Sequence, residues 1–288
     1  MPPAAVVRYP SDLYDAYVFD MDGTIFLGDH LLPGVARLIG ELRRRGIPLR
    51  YLSNNPTRDP EQYADKLARL GLPTPVEDIA NTVVTTTAWL VAHHPDAVVF
   101  PISEEPLKRA LAAAGIRMSE DPAEIDIVIA SYDRTFDYRK LQIAFDAIWF
   151  HQRAFLIQTN PDRFCPFPGG RGEPDCAAIT AAIEACTGTT CRRSLGKPDP
   201  IMLRTVMDTL PGASIERSVM VGDRLQTDIR MALDVDMVSA VVLTGEATAD
   251  DVAALPPHLA PQLVLDRIDR LLPPSVWDEL GWTASDPE

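Results

Sequence analysis

Asp20-Met21-Asp22-Gly23-Thr24 places two carboxylates two residues apart, directly after the apolar run Ala16-Tyr17-Val18-Phe19. Three more polar clusters follow along the chain: Ser53-Asn54-Asn55, Gly196-Lys197-Pro198-Asp199, and Gly222-Asp223-Arg224-Leu225-Gln226-Thr227-Asp228. Taken singly, each reads as a turn or a helix cap, since Asp, Asn, Ser and Gly are the ordinary residues of both. Taken together, in this order and each following an apolar run, they suit phosphoryl transfer through a carboxylate. A carboxylate nucleophile splits one difficult displacement into two easier ones. Asp20 is the candidate nucleophile. Asp22 is the candidate acid that protonates the leaving oxygen and then the base that activates water.

A carboxylate attacking a phosphate dianion meets repulsion, so a hard cation is expected. Mg²⁺ takes oxygen ligands and keeps several waters. Asp20, the backbone carbonyl of Asp22 and Asp223 are the candidate ligands, with Asp228 holding metal-bound water or orienting Lys197. The transferring oxygens need fixed donors. Candidates for the phosphate are the amides near Asp22 and Gly23, the Ser53 hydroxyl, Asn54 and the Lys197 ammonium.

Elements that place these clusters are legible as alternating short apolar runs and helical-period segments. Strands are expected at Ala16–Asp20, Ile47–Leu52, Ala97–Ile102, Ile125–Ala130, Ala154–Gln158, Cys191–Leu195, Ser218–Val221 and Val238–Leu243. Helices are expected at 34–45, 60–70, 82–92, 105–114, 138–150, 176–187, 200–210 and 225–233, with short helical pieces after about 250. Strand–helix alternation implies a parallel α/β sheet. In such sheets ligands gather at the carboxyl ends of strands, where the four clusters fall.

These residues resemble the four motifs of the haloacid dehalogenase superfamily: the Asp20–Thr24 run, Ser53, Lys197, and Gly222-Asp223 with Asp228. Ser53-Asn54-Asn55-Pro56-Thr57-Arg58, Thr159-Asn160-Pro161-Asp162 and Gly196-Lys197-Pro198-Asp199-Pro200 look like its NagD-like branch, which includes p-nitrophenyl, glycerol-phosphate and pyridoxal-phosphate phosphatases. The resemblance spans residues 16 to 245. It implies a Rossmann-like core, an Mg²⁺ requirement, a small phosphorylated metabolite as substrate and a large inserted α/β cap. The expected division is core at 1–94, cap at 95–190 and core again at 191–288. The gap between Ser53 and Lys197 has room for such a domain. A cap excludes water and reads the leaving group.

Within the cap, Asp133 and Arg134 follow a strand and are expected to face substrate, with Arg134 able to hold a second anion. Asn160 and Asp162 follow another strand and suit either turn-making or leaving-group contact. Together these four residues favour a sugar or polyol phosphate. Nucleoside monophosphates, pyridoxal 5′-phosphate, transfer to an acceptor other than water, and a non-catalytic binding role remain alternatives. The 163–172 segment carries glycines without the Walker pattern. Cys165 has no histidine near it in sequence, and none of the five histidines is assigned to metal.

Composition narrows the classes. The 288 residues are 46% hydrophobic and 24% charged, which is ordinary for a globular protein. The net charge of −14 and the absence of a basic patch argue against nucleic acid as a partner. No run approaches a membrane span, and the N-terminal octapeptide lacks a signal-peptide pattern. Four cysteines without a Cys-x-x-Cys pair suit reduced thiols and a cytoplasmic setting. A homodimer is the expectation from the family resemblance.

Overall fold

A computed structural model of the chain describes residues 7–167, 170–210 and 212–283. Most of the N-terminal octapeptide, and Pro168 and Gly169 of the 163–172 segment, lie outside the described residues. In chain order the strands are β1 (Ala16–Asp20), β2 (Phe26–Leu27), β3 (His30–Leu31), β4 (Leu49–Ser53), β5 (Ile79–Asn81), β6 (Val98–Ile102), β7 (Arg117–Met118), β8 (Ile127–Ala130), β9 (Phe155–Gln158), β10 (Phe164–Phe167), β11 (Arg171–Pro174), β12 (Ser218–Gly222), β13 (Val238–Val242) and β14 (Leu263–Leu265). The chain divides into two compact units. One gathers the segments Met1–Leu52, Ala64–Ile79 and Val206–Glu288, and the other Ser53–Tyr63 and Ala80–Thr205.

The first unit is organised by the sheet β14-β13-β12-β1-β4-β5. Strands β14, β13, β12, β1 and β4 pair in parallel. Every residue of β1 and β12 is buried, as expected of central strands covered on both faces. Register sets Phe19 beside Val221, Asp20 beside Leu52, and Gly222 beside Val241. The carboxyl ends of β1, β12 and β13 therefore share one edge of the sheet. The helix Val35–Arg44 buries Val35, Leu38, Ile39 and Leu42, the one-face stripe that a 3.6-residue period produces. A second core group joins Ile229 and Val252 to Val241 and Val264.

The second unit has its own parallel sheet, β7-β6-β8-β9. Its two faces follow from strand alternation. Phe100, Ile102, Val128, Ala130 and Leu156 face Cys176, Ile179 and Ile183 of the helix Cys176–Thr187. Val99, Ile127, Ile129 and Ile157 face the other way, toward Leu107 and Leu111 of the helix Glu105–Ala113. Val83 and Leu90 of the helix Thr82–His93 join that second cluster, as does Leu195.

The α/β class and the parallel core sheet expected from the sequence are present. One expected strand is not: Cys191–Leu195 makes a single bridge, from Ser194 to Gln158. The segment does run beside β9, with Arg192 N donating to Leu156 O, Gln158 N to Arg193 O, and Leu195 N to Gln158 O. Its apolar content is too sparse to hold a longer ladder. The helices expected at 138–150 and 225–233 each include a π-turn, at Asp146–Phe150 and Leu225–Ile229. Such turns often accompany functional sites, and Asp228 lies on the second. Among the described residues, no helix is long and apolar enough to cross a membrane.

A buried ion pair ties the C-terminal segment to the first helix. Asp269 is fully buried and accepts from Arg37 and, at 2.8 Å, from Arg267. The Arg37 guanidinium lies 4.7 Å from the Trp277 ring and 4.7 Å from the Trp282 ring. Removing one partner of such a pair strands buried charge. Asp269→Ala should lower stability by about 3–5 kcal/mol, read as an earlier midpoint in urea unfolding. An unchanged midpoint would show that the pair contributes nothing net.

Candidate active site

Asp20 closes β1, Asp223 follows β12 directly, and Asp228 lies one helical turn later. All three are buried, with exposures of 8%, 4% and 0%, and one carboxylate oxygen from each lies within 4.8 Å of the others. Three ionised carboxylates at such spacing repel strongly unless a cation or a proton intervenes. The donor set is all oxygen, which suits a hard divalent cation and neither zinc nor copper in their usual sulfur and imidazole sites.

The backbone around these carboxylates is shaped to admit them. A Cβ on Gly23, on Gly245 or on Gly222 would come under 3.0 Å from the Asp223 or Asp228 side chain, closer than real Cβ atoms approach. Gly23 also sits at φ +85°, a conformation that L side chains rarely adopt. Asp223 Oδ2 accepts from Glu246 N at 2.8 Å, and its carbonyl from Ala247 N at 2.9 Å. Asp228 Oδ2 accepts from Arg224 N at 3.2 Å. Thr244 Oγ1 donates to Gly23 O at 3.1 Å.

Asp22 is exposed. Its turn is closed by Gly23 N donating to Phe26 O at 2.8 Å. The loop Thr244–Ala247 was not singled out from the sequence. The signal was present: it follows the predicted strand Val238–Leu243, so it is one more polar strand end with a glycine.

The remaining core candidates cluster in the second unit. Ser53, the last residue of β4, is 5% exposed, with its Oγ 3.1 Å from Tyr63 Oη and accepting from Asn55 N at 3.1 Å. Lys197 is 3% exposed and precedes a cis peptide bond to Pro198. Its backbone N–H donates to Asn54 Oδ1 at 2.7 Å, and its carbonyl accepts from Asn54 Nδ2 at 3.0 Å. Asp162 Oδ2 accepts from Asn54 Nδ2 and from Asn160 Nδ2, at 2.9 and 3.1 Å. Asn160 is fully buried and also donates to Asp175 Oδ1 at 3.2 Å.

Asp133 and Arg134 are engaged inside the second unit. The Asp133 carboxylate accepts from Thr135 N, from Thr135 Oγ1 and from Lys140 Nζ, the last at 2.6 Å. Burial pushes its carboxyl up, but the Lys140 and Thr135 hydrogen bonds outweigh that and hold it below the usual carboxylate range. Arg134 bridges Glu104 and Glu173, each at 2.7 Å, with its guanidinium 4.8 Å from the Tyr132 ring. Its charge is thus met by two carboxylates. Phe164–Phe167 and Arg171–Pro174 pair antiparallel as β10 and β11, with Phe164 and Phe167 exposed. The Cys176 thiol is fully buried and pushed up to about 11 by that burial, which leaves it unreactive at neutral pH.

Two expectations follow from this geometry. Gly245→Ala drives a methyl group against Asp223 and should weaken divalent-cation binding about 10–100-fold by calorimetry; wild-type affinity would show that the cradle is not selective. Asp133→Asn should lower stability at neutral pH by about 2 kcal/mol. A depressed carboxyl contributes stability above its unfolded value of about 3.9 and loses it as pH falls through the folded value. The gap in thermal midpoint between wild type and D133N should therefore close on acidification below about pH 4. A gap constant down to pH 2 would refute the linkage.

Comparison with known proteins agrees with these motifs. Residues 17–117 match the haloacid dehalogenase-like hydrolase family, and residues 194–271 match a second family described as HAD-hydrolase-like. An acid sugar phosphatase of Staphylococcus epidermidis is 33% identical over 247 residues, 85% of this chain and 93% of that protein. One from Staphylococcus aureus is 33% identical over 83% of this chain and 90% of its own. Among solved structures, a 4-nitrophenylphosphatase of Thermotoga maritima superposes with a TM-score of 0.83 at 30% identity, covering 90% of this chain and 96% of that one. NagD from E. coli K-12 superposes with a TM-score of 0.80 at 25% identity, covering 90% and 98%. With its parallel core sheet, its second α/β unit and its carboxylates at the strand ends, the chain belongs to the haloacid dehalogenase-like hydrolases and is an enzyme of their NagD-like phosphatase branch.

Proposed function

We propose that this enzyme hydrolyses a small phosphorylated metabolite, a sugar or polyol phosphate, through an aspartyl-phosphate on Asp20 with Mg²⁺ as cofactor. The observation that carries the reading is the convergence of Asp20, Asp223 and Asp228, buried at the strand ends. The names of the acid sugar phosphatase relatives support the substrate class.

In the first step an Asp20 oxygen attacks phosphorus and the bond to the leaving oxygen breaks. Asp22 gives its proton to that oxygen, so the alcohol departs neutral. In the second step Asp22 takes a proton from water, whose oxygen attacks phosphorus. The P–O bond to Asp20 breaks and inorganic phosphate is released. Bound Mg²⁺ supplies positive charge that offsets repulsion between the nucleophile and the phosphate oxygens. Asp20, the carbonyl of Asp22 and Asp223 would hold it, with Asp228 beside them. Ser53, Lys197 and the amides near Gly23 bind the transferring oxygens. Residues 95–190 form the cap that reads the leaving group, with Asp133, Arg134, Asn160 and Asp162 shaping its loops. Free thiols at the four cysteines fit a cytoplasmic enzyme.

Asp20→Asn should cut phosphate release from p-nitrophenyl phosphate by at least about 10³-fold. Acid quenching of wild type with labelled substrate should trap phosphoprotein, and D20N should give none. Chelation should abolish turnover and Mg²⁺ restore it. Wild-type turnover in D20N would eliminate Asp20 as nucleophile. A phosphometabolite panel headed by nucleotides or pyridoxal 5′-phosphate, ranked by kcat/KM, would overturn the sugar assignment.

A further inference from the structure

The geometry points to Asn54 as a positioning residue for Lys197 rather than a side-chain ligand of the phosphate; this rests on the reading of Lys197 as a phosphate-holding group. An asparagine side chain has one carbonyl and two N–H donors to spend. The Asn54 carbonyl receives Lys197 N–H at 2.7 Å. Its amide nitrogen donates to Lys197 O at 3.0 Å and to Asp162 Oδ2 at 2.9 Å. Both N–H groups are then committed, and the side chain has no donor left for a phosphate oxygen.

One side chain thus grips both backbone polar atoms of Lys197. That fixes the peptide planes on either side of its Cα, and so the direction in which a long, rotatable side chain leaves the backbone. Asn54 is itself held on three sides. It is 9% exposed, its backbone carbonyl accepts from Thr82 Oγ1 at 3.0 Å, and a Cβ on Gly196 would stand 2.7 Å from its Oδ1. Its donor contact leads into a rigid chain: Asp162 to Asn160, then to Asp175, whose carboxylate accepts Cys176 N at 2.6 Å. That last contact caps the helix Cys176–Thr187. Aspartate at position 54 would keep the acceptor for Lys197 N–H but lose both donors and set a second carboxylate against Asp162. Glutamine would add a methylene where Gly196 already leaves none.

A double-mutant cycle with Lys197→Met separates positioning from plain structural support. Asn54→Ala should lower kcat/KM for p-nitrophenyl phosphate about 10–100-fold, the scale of a misplaced catalytic group. In the K197M background the same change should cost nothing further. Inorganic phosphate affinity, measured by calorimetry, runs the same cycle where K197M leaves turnover below detection. Should N54A not fold, Asn54→Ser takes its place. An equal loss from the Asn54 change in both backgrounds, or no loss in either, overturns the positioning role. Wild-type kcat/KM and phosphate affinity in K197M overturn instead the reading of Lys197, a result distinct from either.

Discussion

Charge repulsion at short range is the constraint to which the first unit answers. Three carboxylates within 4.8 Å of one another and nearly out of contact with water are an arrangement that folding alone disfavours. The surroundings answer with backbone. Amides of Arg224 and Glu246 point at the carboxylates, and glycines at 23, 222 and 245 let the chain come close. The parallel sheet makes the arrangement possible, because register brings the ends of β1, β12 and β13 to one edge.

The second unit meets a different demand. Lysine is a flexible point charge, and its reach is useful only if its stem starts from a fixed place. Here Asn54 fixes the backbone of Lys197 at both its N–H and its carbonyl. Neighbouring polar groups are nearly all committed to one another: Asn160 and Asp162, Asp133 and Lys140, Arg134 and two glutamates. Buried networks of this kind are costly when half satisfied and rigidifying when complete. The unit has the hydrophobic means to support them, with a separate core on each face of its sheet.

Much of this was legible along the chain. Runs such as Ala16–Phe19 and Val219–Val221 are unbroken and apolar, and the polar residues that follow them fall at one sheet edge by the geometry of parallel pairing. Elements that depend on distant partners were not. β5, β7 and β14 are two or three residues long, too short for any period to register. β10 and β11 are held by pairing with each other, not by burial. The Cys191–Leu195 segment has strand-like residues but finds only one bridge.

The site divides along the same line. Sequence alone determined which residue types stand at the strand ends and in what order, because strand–helix alternation is a local, periodic property. Tertiary structure decided how those groups are used. It showed that the Thr244–Ala247 loop braces Asp223, and that Asp133 and Arg134 are met by Lys140, Glu104 and Glu173. It also showed that Asn54 spends its amide on Lys197, 143 positions away. The physical reason is that a side chain's hydrogen-bonding capacity is finite, and only the folded chain determines which distant groups consume it.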